Sequence, residues 1–172
     1  SKTEFSFRAV SAPASNHWTG LPRRRKRNAM IDPLYQKEIL RLAAEANGSG
    51  ALPDATTSIK IKNPMCGDQI KLDVRMEDGR ISAIAHETRA CVLCQASASL
   101  IAGLIPGETK ENIRTGRASV EAMLKGVALS PIEGSHWAPY TVFTPVIEHQ
   151  NRHRCVLLPF DALLRAFEEA KR

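Results

Sequence analysis

Gln69-Ile70-Lys71-Leu72-Asp73-Val74-Arg75-Met76 and Arg80-Ile81-Ser82-Ala83-Ile84-Ala85-His86-Glu87 are two alternating apolar and polar runs, separated by Glu77-Asp78-Gly79. An Asp-Gly dipeptide between such runs predicts a tight β-hairpin, because glycine accepts the positive φ that a primed turn demands. With Asp78 and Gly79 as the turn residues, Glu77 pairs with Arg80, and an unbroken ladder brings Cys66 opposite Cys91. Asn63-Pro64-Met65-Cys66-Gly67-Asp68 precedes the hairpin and Arg89-Ala90-Cys91 follows it. Two thiols and the Asp68 carboxylate are therefore expected at one end of the sheet, a donor set that suits a metal ion.

The rest of the chain is organised around this hairpin. Ile59 and Ile61 alternate with Lys60 and Lys62, so Thr56–Lys62 reads as a first strand with one wet face. In the second strand Ile70, Leu72, Val74 and Met76 share one face, and Lys71, Asp73 and Arg75 the other. Three strands cannot cover their own apolar face, so helices must. A helix is expected from Leu34 to about Ala46, with Asp32 as cap and Pro33 in its first turn. Val92 to Ile105 reads as a buried helix stopped by Pro106-Gly107, and Thr109–Thr115 and Ala118–Lys125 as two shorter ones. Residues 128–151 read as a long inserted loop with some helix, and Leu157 to about Ala170 as a closing helix entered through Pro159.

A chain of 172 residues is long enough for one real core, and 43% hydrophobic content with 24% charge is ordinary for a globular domain. No run of about eighteen apolar residues is present, so no membrane span is expected. The net charge of +6 is local: residues 1–29 hold seven basic residues and one acid, and residues 30–172 hold seventeen of each. A neutral domain does not provide a phosphate-binding face, so nucleic acid is not an expected partner. Residues 1–29, ending in Arg23-Arg24-Arg25-Lys26-Arg27, read as a basic, disordered leader or extension ahead of a domain at 30–172. A transit peptide is the alternative reading, which would move the expected site of action from the cytoplasm to the mitochondrial matrix.

Four cysteines without a secretory signal point to metal ligands, nucleophiles or core residues rather than a disulfide framework. Cys91 and Cys94 form a C-x-x-C, yet a hairpin rather than a βαβ unit precedes it, so Cys94 is read as a small core residue. Cys155 follows Arg152-His153-Arg154, whose arginines would favour a thiolate if they approach it, and a buried cysteine beginning a packed helix is the equal alternative. Of His17, His86, His136, His149 and His153, only His153 lies close enough to Cys155 in sequence to be a reserve ligand there. The phosphate-loop, dinucleotide, nucleophile-elbow and H-E-x-x-H signatures are all missing.

Taken together, Asn63 to Asp68, then Cys91-Val92-Leu93-Cys94-Gln95-Ala96-Ser97-Ala98-Ser99, then Arg152 to Cys155 resemble the NifU-like and IscU-like iron–sulfur cluster assembly proteins. Among their branches the chain is most similar to SufU. The resemblance covers residues 30–172. It implies an α+β domain with a three-stranded antiparallel sheet covered by about five helices. It also implies a metal site of Cys66, Asp68, Cys91 and Cys155, holding Zn²⁺ or a transient [2Fe–2S] cluster, with Arg152, His153 and Arg154 as auxiliary residues. Cys66 would accept sulfur from a cysteine desulfurase, and apo iron–sulfur proteins would receive the product. The chain would then be a zinc-dependent sulfurtransferase or a non-enzymatic scaffold; the alternative is a zinc-stabilised, non-catalytic adaptor of the desulfurase. Arg154 stands where the IscU branch places a histidine, which fits the SufU side. The long segment before Cys155 looks like that branch's insertion.

Overall fold

The turn between the two long strands is built as the Asp-Gly dipeptide requires: Asp78 and Gly79 take φ of 53° and 75°. The strands themselves are Thr57–Lys62 (β1), Gln69–Glu77 (β2) and Arg80–Arg89 (β3), antiparallel in the order β1-β2-β3. The computed structural model describes residues 36–127 and 132–171. The basic leader, His17 and the Asp32-Pro33 helix start lie outside them.

The register corrects the hairpin expectation. Glu77↔Arg80 and Met76↔Ile81 pair as predicted, but the ladder then slips and Arg75 faces Ala83. Ser82 is the extra residue of a β-bulge, and it is held locally: its hydroxyl donates to the Arg75 carbonyl and accepts from Arg75 Nε, both at 3.1 Å. Because strand side chains alternate, the slip exchanges the faces of β3 beyond the bulge. Ile84 and His86 now share a face with Val74 and Leu72. The ladder stops at Gln69↔Arg89, so Cys66 and Cys91 are not cross-strand partners.

Four α-helices occur among the described residues: Lys37–Glu45 (α1), Val92–Leu104 (α2), Lys110–Leu124 (α3) and His153–Ala170 (α4). A 3₁₀ helix at Ala138–Glu148 and a 3₁₀ turn at Gln150–Arg152 fill the expected insertion. α4 packs on β1 and β2, α2 on β3, and α2 and α3 both against α4. Ile70, Leu72, Val74, Leu93, Ile101, Phe160 and Leu163 fill the space between sheet and helices. Among the described residues, no helix is long and apolar enough to cross a membrane.

Two helix expectations are corrected. The predicted break near Gly116 does not exist: α3 runs through it, because Gly116 is where Trp137 packs. A Cβ there would lie 2.3 Å from Trp137 Cε2. The last helix begins at His153, not at Leu157, and Pro159 lies inside it. Proline lacks the N–H that would reach back four residues, so the Cys155 carbonyl loses its helical partner while the helix continues.

The predicted polar face of the sheet is also partly covered. Asp73 is buried, accepting from Ser58 Oγ at 2.6 Å and the Leu52 amide at 3.0 Å. The loop before β1 is thus tied across the sheet. His86 is a satisfied buried group, its Nε2 donating to the Asn47 carbonyl at 2.7 Å and its Nδ1 lying 2.9 Å from Thr88 Oγ1. With the His86 amide donating to the Gly48 carbonyl and the Gly50 amide to the His86 carbonyl, it clips the end of α1 to β3.

Candidate metal centre

Between β1 and β2 the chain must reverse within six residues, and Asn63 organises the turn. Its amide donates to the Asp68 carbonyl, its carbonyl accepts from the Gly67 amide, and its Oδ1 accepts from the Met65 amide at 3.0 Å. Gly67 takes a φ of 78°, the left-handed region that a side chain would strain. The turn leaves Cys66 exposed at its tip while Asp68, 4% exposed, points inward.

Two other segments meet this turn. Cys91, in an extended conformation, is the N-cap of α2, and its amide donates to Asp68 Oδ1 at 2.9 Å. The carboxylate therefore serves a free amide at a helix start, where negative charge is favoured. The Cys91 thiol lies 3.1 Å from Asp68 Oδ2. Cys155, buried in the first turn of α4, places its sulfur 3.6 Å from that of Cys66. Donor atoms of Cys66, Asp68 and Cys155 all fall within 4.8 Å of one another. The partners differ from the sequence expectation: Cys66 meets Cys155, and Cys91 meets Asp68.

α2 and α4 are held in place by a buried network that motif reading did not find. Ser97 Oγ donates to the Val156 carbonyl at 2.6 Å, and Tyr140 Oη donates to the Ser97 carbonyl at 3.1 Å. Ser97 thereby fixes the start of α4, and with it Cys155, relative to Cys91. Ser99, two residues on, accepts from the Asn47 amide at 3.0 Å and anchors the end of α1. The Ala-Ser-Ala-Ser signal was visible in the sequence; its partners come from distant segments.

The electrostatics concentrate negative charge. Burial pushes the Asp68 carboxyl up, but hydrogen bonds from the Cys91 thiol and amide, with Cys155 and Cys66 adding to them, hold it below the usual carboxylate range. A hydrogen bond from Cys155 holds the Cys91 thiol below its ordinary value, against burial, with the nearby Cys94 amide assisting. Cys155, the donor in that pair and buried, is pushed up. Burial likewise pushes up Cys94, which is fully buried in the core as expected of a packing residue. A redox partnership of Cys91 with Cys94 has no support in this burial.

The auxiliary residues lie outside the donor group. His153 Nε2 lies 3.0 Å from the Val146 carbonyl and 3.3 Å from that of Ile147, so this nitrogen is engaged with the 3₁₀ segment. Arg154 is exposed and Arg152 half-buried. His136 holds the Leu104 carbonyl at 2.6 Å.

Two spacings, Cys66 to Cys155 and Cys91 to Asp68, suit a tetrahedral thiolate-rich ion, while Cys91 stands outside the group of Cys66, Asp68 and Cys155 whose donors all lie within 4.8 Å of one another. Zinc–sulfur bonds of about 2.3 Å give a tetrahedron edge of about 3.8 Å between sulfurs, and about 3.5 Å between sulfur and oxygen. The observed 3.6 Å and 3.1 Å are close to these edges. Thiolates suit zinc, Cu(I) and iron–sulfur clusters, whereas magnesium and calcium require oxygen-rich cages.

Residues 34–156 match the family described as the NifU-like N terminal domain. The iron-sulfur cluster assembly scaffold protein IscU of Thermotoga maritima is 31% identical over 81% of this chain and 96% of its own length. The zinc-dependent sulfurtransferase SufU of Bacillus subtilis is 27% identical over 58% of this chain and 67% of its own. Among solved structures, the N-terminal part of a nitrogen-fixing NifU-like protein from Brucella abortus superposes with a TM-score of 0.75 at 32% identity, over 83% of this chain and 97% of that one. On sequence and fold together, this chain belongs to the family of NifU-like N-terminal domains.

Proposed function

We propose that this protein accepts sulfur from a cysteine desulfurase on Cys66 and supports assembly of iron–sulfur clusters at a site of Cys66, Asp68, Cys91 and Cys155. One observation carries the reading: the donor atoms of Cys66, Asp68 and Cys155 lie within 4.8 Å of one another, with the Cys91 thiol against Asp68, at an end of the domain where Cys66 is exposed. Relatives named as a cluster assembly scaffold and as a zinc-dependent sulfurtransferase support it. The domain assigned to this task is 30–172, with 1–29 as a leader outside it.

Zinc is the resident ion in this reading, and when bound it supplies the positive charge that keeps sulfur deprotonated at neutral pH. The iron and sulfide of a cluster are cargo. Cys66 is the group a donor can reach. Its thiolate attacks the outer sulfur of the desulfurase persulfide, the donor's sulfur–sulfur bond breaks, and the desulfurase cysteine leaves as thiolate. Cys66 then carries the persulfide. Asp68, the one oxygen donor among soft ones, is the exchangeable ligand.

The test is alanine production by a cysteine desulfurase with wild type against Cys66→Ser. Wild type is expected to stimulate turnover and the variant not to; equal stimulation by both would show an adaptor that takes no sulfur. Elemental analysis of protein purified without oxygen identifies the resident metal. A colourless protein with zinc supports sulfur transfer, and a reddish one with iron and acid-labile sulfide supports the scaffold role. A cluster reconstituted on Asp68→Ala is expected to outlive that on wild type, as read by the decay of its visible absorbance.

A further inference from the structure

Beside the metal centre, α4 lines a hollow of about 220 Å³ with Arg154, Leu158, Asp161 and Arg165, spaced so that all four lie on one helix face. Lys62, Asn63 and Pro64, from the end of β1 and the Cys66 turn, form the opposite wall. Asp161 is already held by Arg117 Nε at 2.6 Å. Lys62, Arg154 and Arg165 have no ion-pair partner among the described residues, so the hollow keeps a positive wall.

Asn63 adds an independent indication. It is 2% exposed, and its Nδ2 is a buried side-chain donor with no hydrogen-bond partner among the described residues. Its Oδ1 is occupied by the Met65 amide, so the amide cannot simply be turned over without losing that bond. A buried donor left unpaired in a native protein calls for an acceptor. A neutral acceptor would satisfy Asn63 but not the cations. A carboxylate meets the cations, and reaches the covered Nδ2 of Asn63 once the turn shifts to open it.

We propose that this hollow receives a carboxylate side chain from an acidic segment of a polypeptide that docks on the metal-bearing end of the domain. The polypeptide source is favoured by the rim. Pro64 and Met65 are exposed there, Met65 to 75%, and a free small anion would leave that apolar surface uncovered. The inference deepens the proposed function, since it states the chemistry a sulfur donor would present next to Cys66, and its use rests on that reading.

The test separates the two. The full chain, loaded with zinc, is titrated with an acetylated peptide of four consecutive glutamates flanked by leucines, and separately with citrate at equal carboxylate concentration. The Asn63 side-chain amide is followed by NMR. The peptide is expected to move that signal, and its affinity to fall about two- to five-fold in Lys62→Ala or Arg165→Ala. Arg165 also borders Glu168 and Glu169, so the decisive variant reverses both charges, Lys62→Glu with Arg165→Glu. It should weaken binding more than about tenfold, and added salt should weaken binding to wild type. Zinc content and Cys66 alkylation should be unchanged in all three variants, so loss of peptide binding is independent of the metal assignment. An unmoved Asn63 signal, or undiminished peptide binding by the double variant, overturns the proposal. So does citrate that binds as tightly as the peptide.

Discussion

Asp68 has one task in the fold and, in the proposed function, a second and separable one as a metal ligand. Its Oδ1 accepts the Cys91 amide at the start of α2, and its Oδ2 lies against the Cys91 thiol. Alanine removes both and leaves a buried amide without an acceptor, which costs about 1–3 kcal/mol. Asparagine keeps an oxygen for the amide but loses the anionic donor. Urea denaturation in the presence of chelator should therefore show Asp68→Ala destabilised by about 1–3 kcal/mol and Asp68→Asn by distinctly less. Zinc titration should show both weakened. Equal stability of the two variants would place the carboxylate outside the fold's hydrogen-bond network.

At the scale of elements, close packing and buried polar groups decide where helices run and how they attach. α3 continues through Gly116 because Trp137 occupies the space a side chain would need. Gly116→Ala is expected to improve local helix propensity yet destabilise the protein by about 1–3 kcal/mol through overpacking, read as a lowered thermal midpoint. His86 is the titratable clip between α1 and β3. Burial lowers its pKa, against the opposing hydrogen bond to the Asn47 carbonyl. The unfolded chain thus binds a proton more readily than the folded one, so stability is complete above the unfolded value of about 6.5 and declines as pH falls through it. Between pH of about 7.5 and about 5.5, wild type should lose stability to urea that His86→Gln does not lose over the same interval. The strands, the Asp78-Gly79 turn and α2 were legible because period and turn chemistry are local. The bulge at Ser82 was not, since its cause is a pair of bonds to Arg75 on the neighbouring strand. Nor was the start of α4, where Pro159 gives a local stop signal that tertiary packing overrides.

For the whole molecule, the resemblance pointed to Cys66, Asp68, Cys91 and Cys155, but it did not say which of them would lie against which. A hairpin alone would have joined Cys66 to Cys91. The folded domain instead brings α4 to the hairpin end through Ser97 and Tyr140, so that Cys155 meets Cys66. A site assembled from the β1–β2 turn, the start of α2 and the start of α4 does not exist in the unfolded chain, so a metal held there as proposed would add to folding stability. Free zinc at about a hundred times its dissociation constant should add about 2.7 kcal/mol, and a chelator should remove it, seen as a fall in thermal midpoint that readded zinc reverses. The protons follow the same logic. Cys155 holds its proton more tightly than an ordinary thiol, while a metal takes the thiolate, so binding must release protons. Apparent zinc affinity should accordingly rise with pH, and calorimetric titrations in buffers of different ionisation enthalpy should give different heats. Heats that do not depend on the buffer would mean that the cysteines are not the ligands. In Ser97→Ala the stability gained on adding zinc should shrink along with the stability of the zinc-free protein, because loosening α4 loosens Cys155.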